Sequence, residues 1–309
     1  MRISRRLALG AMTLALLVGA CSSGGGSKPT IKIGSVGFDE AKVMAEIYAQ
    51  ALEAKGYTVD RTGIGLGARP VVAPAIESGQ IDLQPEYIGS RLSYEGGSPT
   101  SDPVQNRQAL QALLEAKNLS VFASTPAQDT NAFVVRAETA AQFSLMTLSD
   151  AAAVQDQLNW GLAADCPTNA LCGAPGGALE QYGITADTIA GATLLDACTT
   201  PMADALRNRT VDVAELCSTQ PDILVNGWVV LEDDLLTQPA ENIAPIVRDA
   251  LLDSLDTAGL YEEFQTTLND VSVKVDTATL ADLYKQVAVD HKDPADVARA
   301  WLQANGFVQ

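Results

Sequence analysis

Apolar residues recur in the first third of the chain with two alternating periods. Stretches that alternate apolar and polar residues indicate strands, and apolar residues three and four positions apart indicate helices. The elements predicted in this way are a strand over residues 30–36, a helix capped by Asp39 and stopped by Lys55 and Gly56, a strand over 57–60, a glycine turn at 63, 65 and 67, a helix over 69–77 and a strand through Ile81 and Leu83. This alternation predicts an α/β fold with an open, mostly parallel sheet.

Ligands of such sheets bind beyond the carboxyl ends of the strands. Three predicted turns lie at those ends, at residues 35–40, 62–67 and 84–89. The last of them contains Pro85, Glu86 and Tyr87 directly after the third strand. These turns are therefore the first candidates for a binding site.

The remaining pattern indicates a second lobe inserted into the first. Further predicted elements are a helix over 103–117, a strand over 119–122, a crossing near 129–135, a strand over 158–163, helices near 176–182 and 200–208, a strand over 211–215, a return near 227–231 and a helix that starts at Asp293 and Pro294. We expect one lobe to consist of residues 30–130 and 232–309, and the other of residues 131–231.

The first twenty residues have the pattern of a cleaved leader. Arg2, Arg5 and Arg6 precede an apolar stretch, and small residues lead to Cys21. This pattern predicts a bacterial lipoprotein signal peptide over residues 1–20 with Cys21 as the lipid anchor, although an ordinary signal peptide with a chance cysteine is the alternative. Residues 21–29 are expected to be a flexible tether. The protein would then be extracytoplasmic and anchored to the cell membrane by lipid.

The chain is strongly acidic. Its 38 acidic residues outnumber 20 basic ones, of which three lie in the leader. Such a surface repels nucleic-acid phosphates and anionic lipid, so we expect neither as a partner. It mildly favours a cationic or zwitterionic ligand, although acidic residues also serve solubility.

Four cysteines follow Cys21, at positions 166, 172, 198 and 217. An even number in an exported protein indicates two disulfides, for which three pairings exist. We favour the pairing of nearest neighbours, Cys166 with Cys172 and Cys198 with Cys217. The C-x-x-C or histidine-rich spacing of a metal site does not occur, so no metal is expected.

The sequence offers no catalytic constellation. His291 is the single histidine and G-x-S-x-G does not occur, which disfavours a hydrolase triad. The glycines at 63, 65 and 67 lack the spacing of a dinucleotide fingerprint. They indicate either close approach of backbone to a ligand or a bare turn. We therefore expect no catalytic residue and no cofactor.

Two motifs resemble a known family. Residues 37–40 read Gly-Phe-Asp-Glu and residues 79–89 read Gly-Gln-Ile-Asp-Leu-Gln-Pro-Glu-Tyr-Ile-Gly. They are similar to the N-F-T-E and G-E-I-D-L-Y-P-E-Y-T-G motifs of the substrate-binding lipoproteins of ABC importers for glycine betaine, choline and related quaternary-ammonium osmoprotectants. Shorter similarities follow at residues 129–132, 211–219, 231–234 and 294–306.

The resemblance implies a type II periplasmic-binding-protein fold, in which two α/β lobes joined by two crossover strands close on a ligand. The family cages the cation largely with tyrosines, and Tyr87 matches one of them by motif. Asn131 and Cys217, however, stand where aromatic residues are usual. The expected ligand-binding residues are Phe38, Asp39, Gly65, Tyr87, Asp129, Asn131, Ser218 and Thr219, each with a core, capping or turn role as the alternative.

The expected function is the capture of a small polar osmolyte, such as a quaternary amine, and its delivery to an ABC permease with its ATPase. The chain would act as a monomer. Two alternatives stay open, because the cage is altered: the same fold with a polyol, a sugar-like or an aromatic ligand, or a ligand sensor without a transporter.

Overall fold

The computed structural model describes residues 28–309. The predicted signal peptide, the anchor Cys21 and the tether up to residue 27 lie outside the described residues. At the end of the predicted tether, the Lys28 ammonium donates to the carbonyl of Lys55 at 2.6 Å and pairs with Glu263. The described chain therefore begins in contact with the folded body.

The described residues form ten strands and fourteen α-helices. The strands are β1 (Thr30–Val36), β2 (Thr58–Gly67), β3 (Leu83–Tyr87), β4 (Leu119–Val121), β5 (Asn131–Val135), β6 (Trp160–Ala163), β7 (Thr193–Leu195), β8 (Val213–Cys217), β9 (Val229–Val230) and β10 (Ile243–Arg248). The helices are α1 (Asp39–Ala54), α2 (Arg69–Glu77), α3 (Ile88–Tyr94), α4 (Pro103–Glu115), α5 (Ala137–Phe143), α6 (Leu148–Ala153), α7 (Ala178–Gln181), α8 (Ala186–Ala190), α9 (Thr200–Arg207), α10 (Pro221–Asn226), α11 (Asp249–Thr257), α12 (Tyr261–Ser272), α13 (Thr277–Ala288) and α14 (Pro294–Ala304).

The strands form two sheets of five with the same design. The first has the order β2-β1-β3-β10-β4 and the second the order β7-β6-β8-β5-β9. In each sheet the first three strands are parallel, and the fourth runs antiparallel to both of its neighbours. That fourth strand is β10 in one sheet and β5 in the other, and each directly follows a passage between the sheets.

Two antiparallel segments connect the sheets. Gln128 forms a bridge with Asn242, and the backbone N–H of Asp129 donates to the carbonyl of Glu241 at 3.2 Å. The buried Asn242 amide also donates to the carbonyl of Thr125 at 2.9 Å. Each lobe of the proposed division, 30–130 with 232–309 and 131–231, encloses one complete sheet.

Helix α1 anchors the core of the first sheet. Val43, Met44, Ile47, Tyr48 and Leu52 are all fully buried, because the helix is covered by the sheet on one side and by other helices on the other. Burying side chains of this size contributes about 1.5–3 kcal/mol each. Helix α1 thereby holds its N-terminal turn in a fixed place beside the sheet.

The predicted glycine turn is wrong, because β2 continues through it to Gly67. The glycines serve strand packing: Gly34 of β1 pairs with Gly63, and a Cβ at Gly63 would lie 2.5 Å from the side chain of Ile81. The register between β1 and β2 shifts on both sides of Gly34, so the extra residues are absorbed as bulges.

Two local predictions about the strand ends are also wrong. Asp39 is the first residue of α1 and Phe38 is its N-cap, with no side-chain cap hydrogen bond. The turn at 84–89 does not form, since β3 continues through Tyr87 and α3 begins at Ile88. The strand accommodates Pro85, which has no backbone N–H, opposite Pro245 of β10, which has none either.

Candidate functional site

Two adjoining cavities lie where the sheets face each other. The wide cavity has a volume of about 360 Å³ and the narrow cavity about 260 Å³. Residues that line the wide cavity include Phe38, Arg69, Tyr87, Ser90, Asp129, Asn131, Cys217, Gln238 and Glu241. Those that line the narrow cavity are Phe38, Glu40, Asp129, Cys198, Cys217, Gln220 and Tyr284. Phe38, Asp129 and Cys217 belong to both, so we treat the two as one candidate site.

Three aromatic rings border this site. Tyr87 ends β3, and its ring centroid lies 5.6 Å from that of Phe38, with 43° between the ring planes. Phe38 is 48% exposed, an unusual state for a phenylalanine, because it projects from the N-terminus of α1 into the space between the sheets. Tyr284 of α13 lies at the narrow cavity. The rings thus come from three separate elements.

Two acids, the buried Glu40 and the half-buried Asp129, lie against these rings. The Tyr87 hydroxyl donates to Oε1 of Glu40, and the Thr219 hydroxyl donates to Oδ1 of Asp129 at 2.7 Å. Glu40 is 1% exposed, and its Oε2 has no hydrogen-bond partner among residues 28–309. The site therefore holds one carboxyl oxygen without a partner.

Burial decides the protonation of these groups. It raises the pKa of Glu40 from 4.5 to about 8, and the charge of Asp129 adds to the effect. Burial also raises the pKa of Asp129 and, with the help of Glu40, that of Tyr87. Burial and nearby carboxylates raise the pKa of Tyr284 to about 12. At neutral pH, Glu40 is therefore mostly a neutral acid.

The wide cavity contains a cation that is already paired. The Arg69 guanidinium donates to both oxygens of the buried Glu86, at 3.0 Å and 3.2 Å. Glu241 accepts from the Ser90 hydroxyl at 2.8 Å, and burial raises the pKa of Glu241 to about 7. In the described part of the chain, Arg69 is the one cation that lines either cavity.

A third cavity of about 470 Å³ shares Thr130, Asn131 and Gln238 with the wide cavity. Phe133 is the single aromatic residue in its described lining, which lacks Tyr87, Glu40 and Asp129. Its volume is larger, but the three aromatic rings and the acids Glu40 and Asp129 belong to the other two cavities. We therefore place the candidate site there.

Four of the predicted binding residues line the candidate site, and two more lie behind its wall. Phe38, Tyr87, Asp129 and Asn131 line the wide cavity. Thr219 is fully buried behind Asp129, and the Ser218 hydroxyl donates to the carbonyl of Gln128 at 3.2 Å. Ser218 and Thr219 therefore hold the crossover segment, as supports of the wall.

Asp39 and Gly65 line neither cavity. Asp39 accepts from the Lys42 ammonium at 3.0 Å on the side of α1. The backbone N–H of Gly65 donates to the Ser35 hydroxyl at 3.0 Å, and its φ of +72° is one that glycine adopts without strain. Their assignment to the ligand remains a prediction that this geometry does not favour.

Sequence reasoning missed Glu40, Arg69, Tyr284 and Glu241 as site residues. Glu40 stood next to the chosen Asp39, but adjacent helical residues point about 100° apart, and only the packing of α1 decides which one faces the cavity. Tyr284 lies in an amphipathic helix far from any motif. No signal in the sequence marks it.

The predicted disulfides are confirmed. Cys166 pairs with Cys172 and Cys198 with Cys217, at Cα separations of 5.0 Å and 4.9 Å. Glu215 lies close to the first pair. Together Cys166, Cys172 and Glu215 are the only group in residues 28–309 with the spacing of metal ligands. Because both sulfurs are in a disulfide, the group is not a metal site.

Within residues 28–309, no helix combines the length and the apolar character that a membrane crossing requires.

The family model described as the substrate binding domain of ABC-type glycine betaine transport system matches residues 29–304. The glycine betaine-binding protein YehZ of Escherichia coli (strain K12) is 27% identical over 287 residues, which cover 90% of this chain and 92% of the relative. A glycine-betaine-binding protein of Pseudomonas aeruginosa is 30% identical over 297 residues, covering 92% and 91%.

A solved structure shares the fold. The crystal structure of a glycine betaine/carnitine/choline ABC transporter protein matches with a TM-score of 0.78 at 23% identity, covering 90% of this chain and 99% of the other. The likeness confirms the predicted fold class, two α/β lobes of the type II periplasmic-binding-protein architecture.

Proposed function

We infer that this protein, which belongs to the family of substrate-binding domains of ABC-type glycine betaine transport systems, captures a small quaternary amine between its two lobes. Family membership confirms the resemblance predicted from residues 37–40 and 79–89. It is a family of transport proteins that bind substrates, so an importer's permease and ATPase are the proposed partners. The ligand would be delivered to the permease after the lobes close on it.

One observation carries this proposal: the rings of Phe38, Tyr87 and Tyr284 border the same site as the buried Glu40 and the half-buried Asp129. A quaternary ammonium has no N–H donor, so it is recognised by aromatic faces and by negative charge. Each cation–π face contributes about 0.5–2 kcal/mol. A site with three rings and two acids supplies both kinds of recognition.

The second candidate is the same fold with a different ligand, such as a polyol, a sugar-like or an aromatic compound. It is motivated by Asn131 and Cys217, which lie at the wide cavity in positions that the family motifs give to aromatic residues. The amide of Gln238 adds a further polar group there. A sensor without a transporter would have the same site, and would differ by the absence of a permease partner.

Titration calorimetry of the mature protein against glycine betaine, choline and carnitine tests the function. We expect heat of binding with at least one of them, and a matching rise of the melting temperature, because a ligand that binds only the folded state stabilises it. Neither heat nor a thermal shift with any of the three would contradict the quaternary-amine function. A different molecule retained through native purification and identified by mass spectrometry would then favour the second candidate.

We also propose that the protein is extracytoplasmic, monomeric and anchored by lipid on Cys21. The support is the leader pattern of residues 1–20 and the glycine- and serine-rich residues that follow Cys21. Replacing Cys21 by alanine should release the protein from the membrane fraction of the host cell. Membrane retention of that variant would contradict the lipid anchor.

A further inference from the structure

We propose that Glu40 is a specificity-determining residue that holds a proton in the ligand-free site and gives it up when an organic cation binds. This inference rests on the proposed function and adds to it a proton-coupled binding step. In that step the O–H bond of the Glu40 carboxyl breaks, its proton passes to solvent, and the carboxylate pairs with the cation. No covalent bond to the ligand is formed.

The geometry of Glu40 is the first support. Its side chain lines the narrow cavity while only 1% of the residue is exposed. Oε1 accepts from the Tyr87 hydroxyl, and Oε2 has no partner within residues 28–309. A buried carboxyl oxygen without a partner costs free energy. The positive charge of a ligand in the narrow cavity would compensate this oxygen, even though a quaternary ammonium has no N–H to donate to it.

The charges around Glu40 are the second support. The crossover contributes Asp129, whose charge acts on Glu40, whereas Asp39 of α1 and Asp222 of α10 act on the neighbouring Tyr284 of α13. Both of those acids are paired, Asp39 with Lys42 and Asp222 with Arg207. Tyr87 faces Glu40 from β3 as a neutral donor. No cation of the described chain is among the groups that shift the pKa of Glu40, and burial together with the charge of Asp129 raises that pKa to about 8. A fixed cation in the cavity reverses this balance and favours the carboxylate.

Arg69 does not supply the missing positive charge. It lines the wide cavity, but both oxygens of Glu86 already accept from its guanidinium. A zwitterion such as glycine betaine would therefore bring a carboxylate into a site whose described lining holds one cation, which is already paired, and several acids. A ligand of net charge +1, such as choline, brings only the charge that Glu40 can balance. We expect choline to bind more tightly than glycine betaine.

The test is titration calorimetry of choline into the mature protein at about pH 7, in two buffers of different ionisation enthalpy. The expected result is the release of about one proton per choline bound, because Glu40 is mostly protonated at that pH. The choline affinity should rise about tenfold per pH unit from about pH 6 to about pH 8 and then level off.

Variants assign the proton to its residue. Glu40→Gln keeps the shape and an acceptor for Tyr87, and we expect it to bind choline without proton release and with little pH dependence. Glu241→Gln removes the other site carboxyl whose pKa burial brings to about 7; its choline affinity can change, but proton release should persist in it. Asp129→Asn removes the neighbouring like charge, so its proton release at about pH 7 should be smaller.

Three results would overturn the inference: choline binding to the wild type without proton release, release that survives Glu40→Gln, or release that Glu241→Gln abolishes. Tighter binding of glycine betaine than of choline would overturn the preference for net charge. These outcomes leave the proposed function intact, because a quaternary amine still binds. Binding of neither ligand to the wild type contradicts the proposed function itself, and the inference with it.

Discussion

Tyr284 shows how a single residue can matter to a site without any motif around it. It lies in the middle of α13, half-buried, and its ring borders the narrow cavity opposite residues from the beginning of the chain. Tyr284→Ala should weaken quaternary-amine binding about 2- to 30-fold, which corresponds to the loss of one cation–π face. Titration calorimetry measures this change.

Tyr284→Phe keeps the ring and should change the affinity little. Tyr261→Ala serves as the matched control, because Tyr261 begins α12 and lines neither cavity. Equal losses in Tyr284→Ala and Tyr261→Ala would show that the effect is not specific to the site.

Arg91 is a second residue with a large expected effect. It is fully buried, donates to Glu95 at 2.8 Å and lies 3.7 Å from Glu86, which in turn holds Arg69. Arg91→Ala leaves buried carboxylates uncompensated, so the free energy of unfolding should fall by about 3–5 kcal/mol. Urea denaturation measures it.

Lys117→Ala is the control for Arg91, since Lys117 pairs with Glu77 and Glu95 from a more exposed position. It should cost less than about 1 kcal/mol. A similar loss in both variants would contradict the importance of burial in this cluster.

At the residue scale, the sequence predicted the part of the site that motifs carry. Phe38 and Tyr87 could be found because each directly adjoins a strand or helix end that the pattern locates. The sequence could not show that Glu40 rather than Asp39 faces the site, since both carboxyls suit a cation and only the rotation of α1 distinguishes them. Arg69 and Glu241 entered the site through tertiary packing alone.

At the scale of elements, the Cys198–Cys217 disulfide links the end of β8 to the loop before α9 and forms part of both cavity walls. Replacing both cysteines by alanine should lower the free energy of unfolding by about 3 kcal/mol, because it frees a long loop in the unfolded chain. It should also weaken ligand binding, since the wall is no longer held. Denaturation and calorimetry under oxidising conditions measure the two effects.

The Cys166–Cys172 pair is the matched comparison, with a sequence separation of 6 against 19. Its removal should cost about 2 kcal/mol on the same model and leave the affinity close to that of the wild type. The opposite order of affinity losses would contradict a role of the longer disulfide in the site.

Element prediction succeeded where one period dominated. The helix at Asp293 and Pro294 begins as predicted, with Asp293 accepting from the N–H of Ala295 at 2.8 Å. It failed in β2, because glycines that usually signal a turn are used there for close strand packing. The short helices α5 and α6 were not predicted, because six or seven residues do not complete a recognisable helical pattern.

At the scale of the whole molecule, the buried acid at the site affects stability as well as binding. The native state keeps a proton on Glu40 up to about pH 8, whereas the unfolded chain releases it near the ordinary pKa of 4.5. The contribution of Glu40 to stability is therefore full below about pH 4.5 and is lost as the pH rises to about 8. Relative to the wild type, Glu40→Gln should gain stability over that range.

Urea denaturation of both proteins at several pH values measures this difference. Asp150→Asn is the control, because backbone hydrogen bonds lower the pKa of Asp150 from 3.8. The contribution of Asp150 to stability is therefore lost only when the pH falls below about 4. The stability difference between Asp150→Asn and the wild type should stay constant from about pH 5 to about pH 8. A constant difference for Glu40→Gln would contradict a protonated Glu40.

The bridge between Gln128 and Asn242 has a consequence for engineering and evolution. The chain leaves the first sheet and returns to it at neighbouring points. The segment between Gln128 and Asn242 is therefore an insertion whose two ends are adjacent. Segments of this kind can be exchanged between proteins without stretching the host scaffold. A chimera that takes residues 131–231 from a relative would carry the relative's residues at positions 131 and 217, and would keep Glu40 and Tyr284 of this protein. Ligand preference could thus be recombined in one step.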